Sequence, residues 1–477
     1  MSRRAVDPAV APETGRGKLS LLWFAPVALA VACVPQNAGY EDVRTMVATT
    51  GHDVRWNHVD ARDTTKEVRA ILSEPLTADG AVKVALLNNA DLQATFEELG
   101  IARGELIRAL RLPNPTAEGG LQYAEGESPD IELSISQDLS ELILLPLRSD
   151  AAEAEFAAAK LDVAGRVMDL VLEVRKGFYD YIADQQILEL RKTVLEALRA
   201  SAVAAEQIHA AGNMTDLDLA SQQVLYEEAR VSFSSAEAAL ATSRERLNAL
   251  LGLWGPATRW QATGRLPDPV EESMESPEAR AVSRSVELAT LRQRFIAASE
   301  RATLARTRGL LPELKAGVAF EREGDEWSRG PIAEIELPIF YQGQGEVARA
   351  QAEMRREQQR LGATAVRVRA ALRAVHVRAT TARQRAQYFK DVLLPMRERI
   401  VNDTQLQFNA MNTSVFQLLI ARRDQIEAGR AYIDALREYW LAKADLEQLL
   451  AGRIPGGAMA GPTTSVATAG TAERGGH

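Results

Sequence analysis

One cysteine, Cys33, is all this chain of 477 residues holds, so no disulfide can form within it. Aromatic residues are few, at 5%, and alanine is plentiful. Small side chains let helices approach closely without filling a thick core. Positive charge is also in short supply: the net charge of −9 and a pI near 5.4 exclude the basic surface of a nucleic-acid binder. The five histidines, His52, His58, His209, His376 and His477, are dispersed, and no pair has ligand spacing on a helix. Neither a phosphate loop nor a dinucleotide fingerprint occurs. The expectation is a protein that is not an enzyme, with no cofactor and no metal site, whose function comes from shape, charge and motion.

Long apolar runs are missing as well. The stretch from Leu19 to Ala32 covers 14 residues, too short to span a bilayer comfortably. Arg3, Arg4, Arg16 and Lys18 precede it, so residues 1–32 read as a signal peptide. Ala30-Val31-Ala32-Cys33 looks like a bacterial lipoprotein signal, in which the cysteine is lipidated and becomes the new N-terminus. Ala30 departs from that pattern, and an ordinary signal peptide with an incidental Cys33 is the alternative.

What the chain does have is a duplication. Leu112-Pro113 recurs as Leu311-Pro312, Asn213 as Asn412, and Leu250-Leu251 as Leu449-Leu450, all at an offset of 199. That period is too long for a solenoid and indicates a doubled half-molecule. In the first half, alternation over 116–124 and 131–138 flanks a polar turn, which is a hairpin. In the second, strands are expected over 314–322 and 332–340. Each hairpin leads into a long helix, 148–211 or 345–409, with apolar positions recurring at steps of three and four. Some 60 residues make a rod of roughly 95 Å. Shorter helices return over 216–251 and 414–451, ending at Gly252 and Gly452. The two repeats span 81–252 and 279–452, with a linker at 253–278. Residues 33–80 read as an extended segment and 453–477 as a disordered tail.

Four short strands cannot close a barrel, since the smallest membrane barrels use eight. Two chains give eight strands, which their own side chains fill; three give twelve, which leave an aqueous bore. Tyr123, Phe320, Phe340 and Tyr341 lie at or near strand ends, where aromatic girdles sit. The charged rods stand in water.

Several short motifs, in this order, resemble the TolC family of outer-membrane efflux factors over roughly residues 80–452. Ala85-Leu86-Leu87-Asn88-Asn89-Ala90-Asp91-Leu92 is similar to the family's N-terminal helix, with Ala90 in place of proline. Leu112-Pro113-Asn114-Pro115 and Leu311-Pro312 resemble its approaches to the strands. Ala211-Gly212 through Leu219 resembles its periplasmic turn, and Leu394-Pro395 its kink in the last long helix. The second turn departs, with Met411 for glycine and Gln417 for aspartate.

The resemblance implies a mainly α protein with a small membrane β part. Three chains would form a twelve-helix α-barrel continued by a 12-stranded β-barrel. It implies a passive export duct in the outer membrane of a Gram-negative bacterium, working with a periplasmic adaptor and an inner-membrane pump. Gly212, Asn213, Met214, Met411, Asn412 and Thr413 would be adaptor-docking turns. Asp216, Asp218, Asn402, Asp403 and Gln405 stand near the rod ends, as helix caps or as a gate. Pro395 should bend its helix, with or without a gating role. A periplasmic adaptor or a soluble coiled-coil scaffold is the other reading. The exported substrate is not legible.

Overall fold

The computed structural model describes residues 37–58, 64–123, 129–262, 264–270, 277–323 and 326–458. The expected signal peptide, Cys33 and residues 459–477 lie outside these.

The first repeat opens with α3 (Ala78–Asn88) and α4 (Ala90–Ala109). The break has a physical cause in Asn89, whose side chain accepts from Leu92 N (2.8 Å) and so caps α4. Asn88 and Asn89 also clamp the end of α6 (Asp216–Leu251): Asn88 Nδ2 donates to Gly252 O (2.7 Å) and Asn89 Nδ2 to Leu250 O (2.9 Å). The paired asparagines thus seat one helix on the frayed carbonyls of another.

Strands β1 (Thr116–Gln122) and β2 (Asp130–Asp138) precede α5 (Ser140–Ala210), 71 residues and about 105 Å long. The helix starts at Ser140, eight residues earlier than expected, because Pro146 sits only in its second turn. A proline there removes one hydrogen bond without ending the helix. Asp138 Oδ1 holds the start, accepting from Ser140 N (2.9 Å).

The second repeat is α7 (Pro277–Arg284), α8 (Val286–Leu310), β3 (Glu313–Glu323), β4 (Glu326–Glu336), α9 (Gln344–Tyr388), a π turn (Phe389–Leu393), α10 (Leu394–Asn409) and α11 (Val415–Ala451). β4 lies earlier than the 332–340 expected. Pairing with β3 recruits Trp327 to Gly330, which read as turn residues, and keeps the alternation in phase. Pro331 is tolerated because β4 is an edge strand. Phe340 and Tyr341 fall beyond the strand and are exposed.

The described residues between 37 and 80 are not an extended segment. They form α1 (Tyr40–Ala48) and α2 (Thr64–Ser73), and Tyr40, Val43, Val47, Val54 and Trp56 enter the main core. A nine-residue helix is too short to repeat its apolar stripe, and it is held by burial against α5 rather than by propensity. The tail is also ordered as far as Ala458. Arg453 Nε donates to Asp169 Oδ1 (2.9 Å), and Ile454 N to Glu287 Oε1 (2.8 Å).

The helices pack in a fixed order: α6 on α5, α5 on α8 and α11, and these on α9. Each outer member keeps an uncovered face. Val224 and Val231 are exposed on α6, Val366 and Val377 on α9. α6 carries six acidic residues and three arginines, while α9 carries three glutamates and ten arginines.

Candidate functional site

The strands form one antiparallel sheet in the order β1-β2-β3-β4, so β1 and β4 each offer a free edge among the described residues. Register sorts the side chains cleanly. Ala117, Leu121, Ile131, Leu133, Ile135, Leu314, Val318, Phe320, Trp327 and Ile335 share one face, with Arg322 and Arg329 toward its turn end. The opposite face carries ten carboxylates and one lysine, Lys315. Three carboxylate pairs sit directly across strands: Glu132 and Glu321, Glu313 and Glu336, Glu323 and Glu326. Neither face is covered: β1 is exposed along its whole length and β4 almost so. A soluble sheet would bury one face. Strands of 7 to 11 residues approach the length that crosses a membrane when tilted.

In sequence the positions opposite the apolar ones are mostly charged and small, without showing that the charges gather as one acidic face. The signal was present in Glu118, Glu132, Glu321, Glu334 and Glu336 at every second position. Register was needed to show that they converge.

At the far end, two helical turns match in detail. Gly212 has φ +76°, with Gly212 N bonded to His209 O (2.8 Å) and Asn213 N to Ile208 O (3.1 Å). Met411 has φ +59°, with Met411 N bonded to Phe408 O (2.9 Å) and Asn412 N to Gln407 O (2.9 Å). The same C-terminal motif closes both rods, yet only the first supplies the glycine it favours. Met411 is 94% exposed, so no burial offsets the strain. Met411→Gly is expected to raise unfolding stability by about 1 kcal/mol, measured by urea denaturation of the detergent-purified protein.

The acids near these turns are not one cluster. Thr215 Oγ1 accepts from Asp218 N (3.2 Å) and donates to Asp218 Oδ2 (2.8 Å), a capping arrangement. Asp216 Oδ1 lies 2.6 Å from His209 Nε2 across the turn. Asn402 and Asp403 are exposed on α10, and Gln405 Nε2 donates to Asn409 Oδ1 (3.2 Å). The second turn has no side-chain cap at Ser414, and Thr413 pairs instead with Gln417. Met214 is partly buried. Pro395 follows a π turn in which Leu394 N reaches back to Phe389 O, so the proline marks an altered helical ladder.

Among the described residues, no group of three or more His, Cys, Asp or Glu side chains could hold a metal ion, and no helix is long and apolar enough to cross a membrane. The second fact says nothing of a β-barrel, and the sheet is the element with a lipid-type face.

Residues 82–253 match the model of the outer membrane efflux protein family. Over these residues the chain resembles that family. The cobalt-zinc-cadmium resistance protein CzcC of Cupriavidus metallidurans is 24% identical over 389 residues, 79% of this chain and 90% of CzcC. The outer membrane channel CmeC of Campylobacter jejuni superposes with a TM-score of 0.69 at 16% identity, covering 79% of this chain and 86% of CmeC. The outer membrane protein VceC of Vibrio cholerae gives 0.67 at 14% identity, covering 79% and 96%. The chain therefore shares the fold of these outer membrane channels, a mainly helical body with a small antiparallel sheet.

Proposed function

We propose that three copies of this chain form a passive duct across the periplasm and outer membrane, and that the duct carries cations. The sheet supports this most directly. In lipid every backbone polar group needs a partner. Joining β1 of one copy to β4 of the next removes both free edges, and three copies give twelve strands. The apolar face then meets lipid and the acidic face lines water. The helical layer favours the same joint, since the acidic outer helix α6 of one copy would meet the basic α9 of its neighbour.

The rods extend into the periplasm, where the turns at Gly212, Asn213, Met214, Met411, Asn412 and Thr413 dock an adaptor linked to an inner-membrane pump. Asp216, Asp218, Asn402, Asp403 and Gln405 ring the closed end. Cys33 carries the lipid. The duct transports and does not catalyse. The name of CzcC concerns cobalt, zinc and cadmium. Divalent metal cations of that kind are what an acid-lined bore favours, and they are the proposed cargo class.

The purified protein is expected to run as three chains in detergent and to conduct ions in planar bilayers. A stable monomer in detergent-free buffer overturns the assembly. Asp403→Ala is expected to raise single-channel conductance or lower cation preference. If both stay as in the unsubstituted channel, Asp403 is no part of a gate.

A further inference from the structure

The described part of the segment between the repeats, residues 253–262 and 264–270, is more than a connection. Leaving α6, it buries Trp260 edge-on to Tyr181, with ring centroids 4.9 Å apart. Arg244 secures it there by donating to Thr258 O (2.9 Å) and Trp260 O (2.6 Å). It then lies along α11. Trp440 Nε1 donates to Pro267 O (2.9 Å), while the Tyr439 hydroxyl donates to Val270 O (3.0 Å) and accepts from Val270 N (3.1 Å). Between these anchors Asp268 reaches a second helix. Its Oδ2 lies 2.6 Å from Lys390 Nζ, and its Oδ1 accepts from the Tyr432 hydroxyl (3.1 Å).

Lys390 belongs to the π turn, where the helical ladder of the α9–α10 rod is altered. Leu394 N bonds five residues back, and Pro395 brings no N–H at all. Below it, α10 packs chiefly on α11 and buries only Val401. A segment with so little burial is drawn from the low-stability end of a structure. A contact on its hinge therefore has leverage that the same contact in the middle of α5 would lack.

We propose that this segment is a latch: Asp268, by clasping Lys390 and Tyr432, holds the π turn, and with it α10 and the Met411 turn, in the resting position. Release of the clasp is the local event that frees the tip. The proposal rests on the reading of the rod ends as the closed end of the duct. Tyr432 supports it, because burial and then its bond to Asp268 push its hydroxyl up to about 12, so it stays a donor at any working pH. The ion pair is exposed, with Asp268 and Lys390 at 61% and 48%, so one clasp shifts its hinge only roughly two- to fivefold. Three copies opening together compound that to about tenfold or more.

The test uses the full-length protein in planar bilayers. Asp268→Ala and Lys390→Ala are each expected to raise open probability about tenfold, and the swap D268K/K390D is expected to return it toward the unsubstituted level. Amide hydrogen exchange over 396–409 should quicken in the single variants and slow again in the swap, with 345–380 unchanged. Single variants that match the unsubstituted protein in both readouts overturn the latch, as does a swap no better than its parts. Should the unsubstituted protein conduct no ions, the duct reading fails, and exchange alone then decides the latch: equal protection in every variant overturns it.

Discussion

Replacing Glu132 and Glu321 together by lysine is expected to turn a cation-preferring channel into one that prefers anions. The two carboxylates face each other across β2 and β3, in a row that also holds Gly120 and Ser328. Like charges placed directly opposite cost a sheet about 0.2–1 kcal/mol. This sheet tolerates three such pairs and has one lysine on the same face, which bonds Glu313 (3.2 Å) and approaches Glu334 (3.7 Å). A sheet that served only as scaffold would gain by mixing its charges. Three copies would set six carboxylates around one level of the bore. At about 0.1 M salt the Debye length is ~10 Å, so such a ring influences ions well across a narrow lumen. Neutralising it with Glu132→Gln and Glu321→Gln should lower the cation-to-anion permeability ratio on the order of tenfold, and the lysine pair should reverse the sign of the zero-current potential in a salt gradient. An unchanged potential in both variants would mean that these side chains do not face the conducting path.

Particular residues show how far the sequence carries the fold. The long rods were legible because Leu161, Val171, Val174, Phe178 and Ile182 keep a helical period over many turns, and periodicity gains weight with length. The start of α5 was not, because the periodic apolar positions begin well inside the helix and only the seating of Asp138 beneath the first turn fixes Ser140 as its start. β4 was displaced because Gly324 to Gly330 has turn composition, and only pairing with β3 overrides it. α1 and the Trp56 cluster were missed for a third reason. Trp56 donates to Glu97 Oε1 (3.0 Å) and stacks near Tyr40 and Phe96, contacts remote in sequence that no local pattern foreshadows. Likewise the site was half visible. The tip turns and Pro395 announced themselves by residue type, whereas the acidic face, the Asp268 clasp and the pairing of Asp216 with His209 exist only once distant segments meet.

The duplication makes its sharpest quantitative demand at Gly452. Both repeats end in a glycine of positive φ that seats on the kink of a helix pair: Gly252 (φ +66°) on Asn88, Gly452 (φ +108°) on Arg284. Val286 N, at the first residue of α8, donates to Gly452 O (2.8 Å), so this glycine joins the end of the second coiled coil to the rod that feeds β3. A Cβ added at Gly452 would stand 2.1 Å from Arg284 O, a backbone atom with no rotamer to escape into. Gly452→Ala therefore incurs two costs, the left-handed backbone at about 1–2 kcal/mol and a steric displacement of the seam at about 1–3 kcal/mol. Gly255→Ala separates them, because Gly255 also has positive φ (+59°) but nothing lies within 4 Å of the added carbon. In urea denaturation, Gly255→Ala should lose only the first cost. Gly452→Ala should lose roughly twice as much or more, with Gly252→Ala between them, its clash being a milder 2.7 Å. Equal losses at all three positions would show that the seam yields freely and that the glycines answer to backbone conformation alone. The expected gradient would instead mark these two junctions as the rigid points about which the repeats are built, leaving the π turn and the rod tips as the parts able to move.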